Sequence, residues 1–313
     1  MQGYVLRRVL LVGVSLLGVA VLIFFLARSI PGDVAILYHG DSYEPDLAPF
    51  IREQLGLDQP AHRQFFLWLQ SVVTGEWKSF YTGRPVSEEI WGRVPVSAEL
   101  GLLGLLIALL IAFPLGTISA IRPHPLVDHP VRVLAVIGLA IPHFWLGLLL
   151  ILFLFTAFQW VPPIIYSPVT EDVGENLKQM VFPALVLGFS NSAAIMRVLR
   201  ASLLEVLRSD YIRTAWAKGL KERAIVVRHS FKNAMMPTLT VIGLELGSLI
   251  SGVVIVETIF VVPGLGRFIV QSILQRDYPQ IQANIIFVCT IYLFVNLFID
   301  IAYALVDPRI HYR

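Results

Sequence analysis

Three carboxylates lie inside long apolar runs of this chain: Glu245, Glu257 and Asp300. A carboxylate in hydrocarbon costs several kcal/mol unless it is paired, wetted or protonated, so each marks a contact with something other than lipid. Read as a helix, Glu245, Ser248 and Gly252 share one face at i, i+3 and i+7. That face can meet the ammonium group of a ligand on a path through a membrane. Pairing of Glu245 with Arg197 or with another subunit is the alternative, and the sequence leaves both open. Asn191 and Met196, in a neighbouring run, can line the same path. Asp300 follows Asn296 by one turn and reads as a structural hydrogen-bonding group. His124 and His129 flank Asp128; a polar turn explains them better than a metal, because three dedicated ligands are not evident. The phosphate loop G-x-x-x-x-G-K-[ST] and the hydrolase signatures H-E-x-x-H and G-x-S-x-G are absent. Gly264 and Gly266 belong to a turn after Pro263, with no strand before it. No nucleophile, base or metal cluster converges on one segment, so catalysis is not expected.

The elements that position these residues are membrane spans. Of the 313 residues 56% are apolar and only 15% charged, against roughly 25% charged in a soluble domain. Charge-free runs longer than ~18 residues recur, which excludes a soluble enzyme and a disordered chain. The single Cys289 lies in such a run, so no disulfide framework exists,. Six spans are expected, at about 9–27, 98–121, 132–157, 180–199, 236–262 and 283–305. The first rises about 28 Å as a helix, and it outruns the apolar core of a signal peptide. The fourth is the weakest, because Ser190, Asn191 and Ser192 interrupt it. In the fifth, Gly243 and Gly247 form a small-x-x-x-small pair that lets a neighbouring helix approach.

Charge sets the expected orientation. With a cytoplasmic N-terminus, 15 of the 24 Lys and Arg residues fall inside beside five acidic residues, and nine fall outside beside 14. Both termini are then cytoplasmic by the positive-inside rule. Because orientation accounts for the basic excess, it is no evidence for a nucleic-acid partner. The outer segment 28–97 reads as two short helices. Leu47, Phe50, Ile51 and Leu55 mark one face of the first, and Phe65, Leu69, Val72 and Val73 mark the second, opened by Pro60. Trp68, Trp77 and Trp91 fit an interfacial belt. This segment is either a cap on the bundle or a landing surface for an external partner. The inner loop 200–236 reads as helix, glycine turn, helix: Asp210 caps the first helix, Gly219 ends it in the left-handed region, and a second runs from about Glu222 to Ala234, with Pro237 opening the fifth span. Anionic lipid can attract the loop's basic residues. It does not account for the small Thr214, Ala215 and Ala217 beside the turn.

The stretch Asp210-Tyr-Ile-Arg-Thr-Ala-Trp-Ala-Lys-Gly219-Leu220, with Arg228-His229-Ser-Phe-Lys-Asn233-Ala234-Met-Met-Pro237, resembles the coupling motif of ABC-importer permeases of the dipeptide/oligopeptide branch. The likeness runs nearly end to end, through Tyr4 with Arg7-Arg8, Pro31-Gly32-Asp33, Leu55-Gly56-Leu57-Asp58-Gln59-Pro60, Pro85-Val86 and Arg93-Val94-Pro95. It continues through Ile141-Pro142-His143-Phe144-Trp145-Leu146-Gly147, Pro263-Gly264-Leu265-Gly266-Arg267, Arg276-Asp277-Tyr278-Pro279 and Asp307-Pro308-Arg309-Ile310. The sequence departs from the family's general form at Arg213-Thr214-Ala215, where Glu-Ala-Ala is usual, and at Gly75-Glu76-Trp77-Lys78-Ser79.

The resemblance implies an all-α, six-span permease subunit in the cytoplasmic (inner) membrane, without catalysis of its own. It implies a second homologous permease subunit, two ATP-binding subunits that carry ATP and Mg, and an extracytoplasmic solute-binding protein, all amid membrane lipid. Arg213, Thr214, Ala215, Ala217, Lys218, Gly219 and Leu220 are then expected at the ATPase, with Ala215 and Ala217 keeping the docking face small. Glu76, Trp77, Pro263, Gly264 and Arg267 are expected at the binding protein. Asn191, Met196, Glu245 and Ser248 are expected on the pathway. Di- and oligopeptides are the expected cargo, with nickel complexes or glutathione as alternatives within the family. A self-contained channel or ion-coupled carrier is the rival of another class; it needs internal repeats or broken helices around a midplane site, and no such repeat is evident in the sequence.

Overall fold

The computed structural model describes residues 2–29, 49, 58–122 and 124–306, with the side chains of 2–6, 27, 29, 300 and 302–306 left out. The first helix expected in the outer segment, the motifs at 31–33 and 55–57, the C-terminal motif at 307–310 and the side chains of Tyr4 and Asp300 lie outside what is described. Among the described residues every regular element is a helix, apart from one bridge between Lys78 and Pro85. In order these are α1 (Gln2–Ser29), α2 (Ala61–Thr74), α3 (Val86–Trp91), α4 (Val94–Ile121), α5 (Pro125–Ala140), α6 (His143–Phe158), α7 (Val173–Leu207), α8 (Asp210–Ala217), α9 (Glu222–Ile259), α10 (Leu265–Leu274) and α11 (Tyr278–Val306). Five are long and apolar enough to cross a membrane, and six spans result if α5 and α6 count as one.

The chain forms two compact units. One comprises Met1–Pro95 with Pro263–Leu297, the other Val96–Val262 with Phe298–Arg313. In the second unit α7 is the central helix. Asp172 caps it, its Oδ1 accepting from the N–H groups of Gly174 at 2.8 Å and Glu175 at 3.0 Å, which satisfies two of the orphan donors of the first turn. Met180, Ala184, Leu187, Ile195, Met196, Leu199 and Leu203 are all buried along it. The Ser190-Asn191-Ser192 stretch that weakens its hydropathy is buried too. Ser192 Oγ and Asn191 Nδ2 donate to the helix's own carbonyls at Phe189 and Leu187. A helix covered mostly by protein needs less of the apolar surface that lipid demands, so its weak signal follows from its place at the centre of this unit.

Small residues set the distances around α7. At Gly188 a Cβ would lie 2.5 Å from Ile107 Cγ2 and 2.9 Å from the Gly104 carbonyl oxygen, both on α4. At Gly138 of α5 it would lie 2.8 Å from Ala193 Cβ, and at Gly252 of α9 3.0 Å from Leu187 Cδ2. The segment 159–172 leads from α6 into α7. Asn176 Nδ2 donates to Ser167 O at 3.1 Å and Gln179 Nε2 to Pro163 O at 2.9 Å. Tyr166 Oη donates to Glu99 Oε2 at 3.0 Å, and burial together with that bond pushes its phenol up to about 12.

The structure departs from the expected spans in two places. The third, expected as one helix over 132–157, is broken: α5 and α6 meet at 110°. Ile141 is extended (φ −87°, ψ 120°) before Pro142, as sterics at a pre-proline residue require. Pro237 does not open the fifth span but lies inside α9. The loop's second helix therefore runs into that span without interruption, through a π-helical stretch at Ile225–Ser230.

These contacts predict opposite outcomes for one substitution at two positions. Gly188→Ala overpacks the α4–α7 crossing and should lower stability by about 1–3 kcal/mol. Gly13→Ala on α1, where nothing lies within 4 Å of the added Cβ, should be neutral or slightly stabilising. Thermal unfolding in detergent checks both, and equal midpoints would contradict the packing described.

Candidate functional site

Helix α8 and the turn after it make a short rigid projection. Its N-cap is Ser209, not Asp210 as expected; Asp210 is the first helical residue, and its carboxylate pairs with Arg213 at 3.2 Å on the exposed surface. At the other end Gly219 has φ 73°. The Leu220 N–H donates to Ala215 O at 3.3 Å and the Gly219 N–H to Trp216 O at 2.9 Å, the paired bonds of a Schellman turn. Gly219 is required there because a side chain at that φ costs of order 1 kcal/mol. Ile212 and Ala215 face inward and pack with Ile225 and Val206. Asn233 Nδ2 donates to Tyr211 Oη at 2.7 Å, tying α8 to the start of α9.

One coupling-loop expectation needs correcting. Ala215 is 7% exposed and lies under the projection rather than on its docking face. It is one turn after Ile212, and that face must be buried to hold α8 on Ile225. Its small size serves this internal contact. Arg213, Thr214, Trp216, Ala217, Lys218, Gly219 and Leu220 form the outward surface.

Along α9, Asn233, Pro237, Thr240, Leu244, Ser248, Ser251, Ile255 and Thr258 form one exposed stripe at steps of three or four,. The exposed faces of α1, α4 and α6 are lined by Leu, Val, Ile, Phe and Trp. Hydroxyl groups recurring over about five turns suit a protein or water neighbour better than lipid. Glu245 is half-buried at the edge of this stripe, Ser248 is within it, and Gly252 is buried against Leu187 and His143. Asn191 and Met196 are each 2% exposed, and Met196 packs among Ala108, Ala112, Val131 and Ala135. The four residues expected on a pathway are therefore not assembled on one surface of this chain. Glu257 is fully buried and accepts a hydrogen bond from Ser97 Oγ on α4.

In the other unit, Trp77 packs with Val86, Ile90, Val94, Leu265, Ala283 and Phe287. Glu76 beside it is exposed, Pro263 and Arg267 are half-buried, and Gly264 is the buried N-cap of α10. Asp277 organises this region. It is buried, and its carboxylate accepts from Ser79 Oγ and from the backbone N–H groups of Phe80 at 3.2 Å, Tyr81 at 3.4 Å and Gln280 at 3.3 Å. It thus holds the 77–86 turn against the start of α11.

A further group was not legible as a unit in the sequence. Arg200 on α7 donates to both carboxylate oxygens of Asp128 on α5, Nε to Oδ1 and Nη2 to Oδ2, each at 2.7 Å. Ser119 on α4 donates to the same Oδ1. The partners are 72 residues apart for Arg200 and nine for Ser119, so no local pattern shows them. His124 caps α5, its Nδ1 accepting from the Leu126 N–H at 3.3 Å.

Five or six apolar helical spans, with a short capped helix on the loop between two of them, fit a membrane transport component. The chain belongs to the family described as binding-protein-dependent transport system inner membrane component. That family's model matches residues 112–312, and the model of its N-terminal part matches 1–101. The protein is accordingly a multi-pass inner-membrane transport component. It is 38% identical over 317 residues to an oligopeptide transport system permease protein of Bacillus subtilis (strain 168), covering all of both chains. To a dipeptide transport system permease protein of Alkalihalophilus pseudofirmus it is 36% identical over 333 residues, again covering all of both. A probable D,D-dipeptide transport system permease protein of Escherichia coli (strain K12) is 38% identical over 315 residues, with 94% of this chain and 93% of the other covered.

The burial of Ala215 gives a paired prediction. Ala215→Asp places an unpaired carboxylate under α8, at a cost of a few kcal/mol, and should loosen α8 so that trypsin cleaves faster at the already exposed Lys218 and Lys221. Ala217→Asp, on the outward face, should leave the cleavage rate unchanged. Equal rates for the two variants would contradict the placement of α8.

Proposed function

We propose that this chain is one of two related permease subunits of an ATP-driven importer of di- and oligopeptides. A solute-binding protein delivers the peptide from outside, and two ATP-binding subunits carry ATP and Mg on the cytoplasmic side. The observation that carries the reading is the projection at 210–220. Its outward face is formed in advance by the Schellman turn and the Ile212–Ala215–Ile225 contact. A preformed rigid element transmits a displacement that a floppy loop would absorb. The excess of Lys and Arg on the loop side supports a cytoplasmic position for the loop and both termini.

The hydroxyl-bearing stripe on α9, with Glu245 at its edge, supports a pathway shared with the second subunit. A carboxylate there can receive a peptide's ammonium group. Asn191 and Met196, buried behind it, act on the pathway by packing. Glu76, Trp77, Pro263, Gly264 and Arg267 are the proposed contact for the binding protein. The full-length likeness to peptide permeases favours peptides over nickel complexes or glutathione.

The test is uptake of labelled dipeptide into proteoliposomes holding the complete transporter. Uptake should require ATP and the loaded binding protein. Ala217→Asp should insert normally, yet lose ATPase subunits on purification and lose most uptake, since an added charge on a closed protein contact costs several kcal/mol. Uptake without ATP, or full uptake by that variant, would overturn the proposal.

A further inference from the structure

The junction of α4, α5 and α7 carries more polar structure than packing needs. Asp128 is 7% exposed, and its carboxylate takes two hydrogen bonds from the Arg200 fork and one from Ser119, while Arg200 Nε also donates to Ser119 Oγ at 2.9 Å. Arg132, one turn on, approaches Asp128 at 3.9 Å from an exposed position. A buried ion pair adds little net stability over well-packed apolar side chains. What the guanidinium fork adds is direction, because two parallel bonds fix both the distance and the angle between the elements that carry them. Ser119 brings α4 into the same geometry.

This junction lies between the projection and the rest of the unit. Toward the projection, Leu199 and Leu203 of α7 pack with Ala120 of α4 and Ala234 of α9. Val206 meets Ile212, Ala215 and Ile225 under α8. Away from it, α4 and α5 keep touching α7: a Cβ on Gly116 would lie 3.0 Å from the Met196 carbonyl oxygen, and one on Gly138 2.8 Å from Ala193 Cβ. A continuous path of contacts therefore leads from α8 to α5, and α5 leads on to α6 through the Pro142 bend.

We propose that Asp128, Arg200 and Ser119 form a joint that makes α4 and α5 follow α7 when the projection is displaced, and are thus positioning residues of the transport step. The inference rests on the reading of 210–220 as the seat of an ATPase. Without the joint the ATPases still dock and still hydrolyse ATP, but the displacement is lost as slip of α5 against α7.

The experiment compares Asp128→Asn, Asp128→Ala and Arg200→Lys in proteoliposomes of the complete transporter. It measures bound ATPase subunits, ATP hydrolysis stimulated by the loaded binding protein, and peptide imported per ATP. All three variants should keep binding and hydrolysis within about twofold, while import per ATP falls about tenfold, a usual size for coupling between linked sites. Arg200→Lys is the sharpest of them, because it retains the charge and loses the fork. Unchanged import per ATP overturns the joint. So does a parallel fall of import, hydrolysis and assembled protein, which is what a purely structural pair gives. Ala217→Asp in the same preparation checks the underlying reading: if that variant keeps its ATPase subunits, the seat and the joint fall together. If it loses them while the Asp128 variants import normally, the joint alone is overturned.

Discussion

Close packing at small residues around α7 is the constraint on which the Val96–Val262 unit depends. Lipid is as apolar as Leu, so spans gain no hydrophobic free energy by associating, and van der Waals fit must hold them together. Gly104, Gly116, Gly138 and Gly188 let α4 and α5 meet α7 at backbone or Cβ range, and Gly252 of α9 lies against the end of the Leu187 side chain. Contacts at that range fix how closely helices approach that lipid alone would leave independent, and the Asp128–Arg200 fork fixes their position along one another, so that the group moves as one body,. The 35 residues of α7 then carry that rigidity past the other helices to Leu207.

The loop inherits its form from this extension. Val206 supplies the floor on which Ile212, Ala215 and Ile225 close, and the Schellman turn at Gly219 reverses the chain toward α9. The return path is less regular. Ile225–Ser230 is π-helical, a form that often marks functional sites within helices. Pro237, without an N–H, removes one further helical bond downstream. The loop is thus anchored firmly on the α7 side and more softly on the α9 side. This asymmetry suits a lever that pushes one helix group while the other gives.

Much of this was legible in the residues. Spans follow from runs of uncharged residues, and the turn at Gly219 from a glycine behind a short amphipathic segment. The break before His143 is written in Ile141-Pro142, yet the apolar run continues across it, so hydropathy alone joins α5 to α6. Ala215 shows a different limit. Composition marks it as small, but only the packing of α8 on Ile225 tells whether a small residue faces a partner or the protein's own interior. Asp128 shows a third. Beside His124 and His129 it reads as part of a polar turn, and its real partner is Arg200, brought to it by the α5–α7 crossing. Ser190-Asn191-Ser192 misleads in the opposite sense, since polarity that looks like a weak span belongs to the most enclosed helix.

The central claim is that the outward face of α8 is closed over by an ATP-binding subunit in the working transporter. Cysteine placed at Ala217, in a chain whose own Cys289 is replaced by Ala, tests it most directly in the purified complete assembly treated with a short bifunctional maleimide. The account predicts one adduct, of this chain with an ATP-binding subunit, and protection of the cysteine from soluble maleimide only while those subunits are bound. A cysteine labelled equally with and without the ATP-binding subunits, and giving no adduct with them, would contradict it.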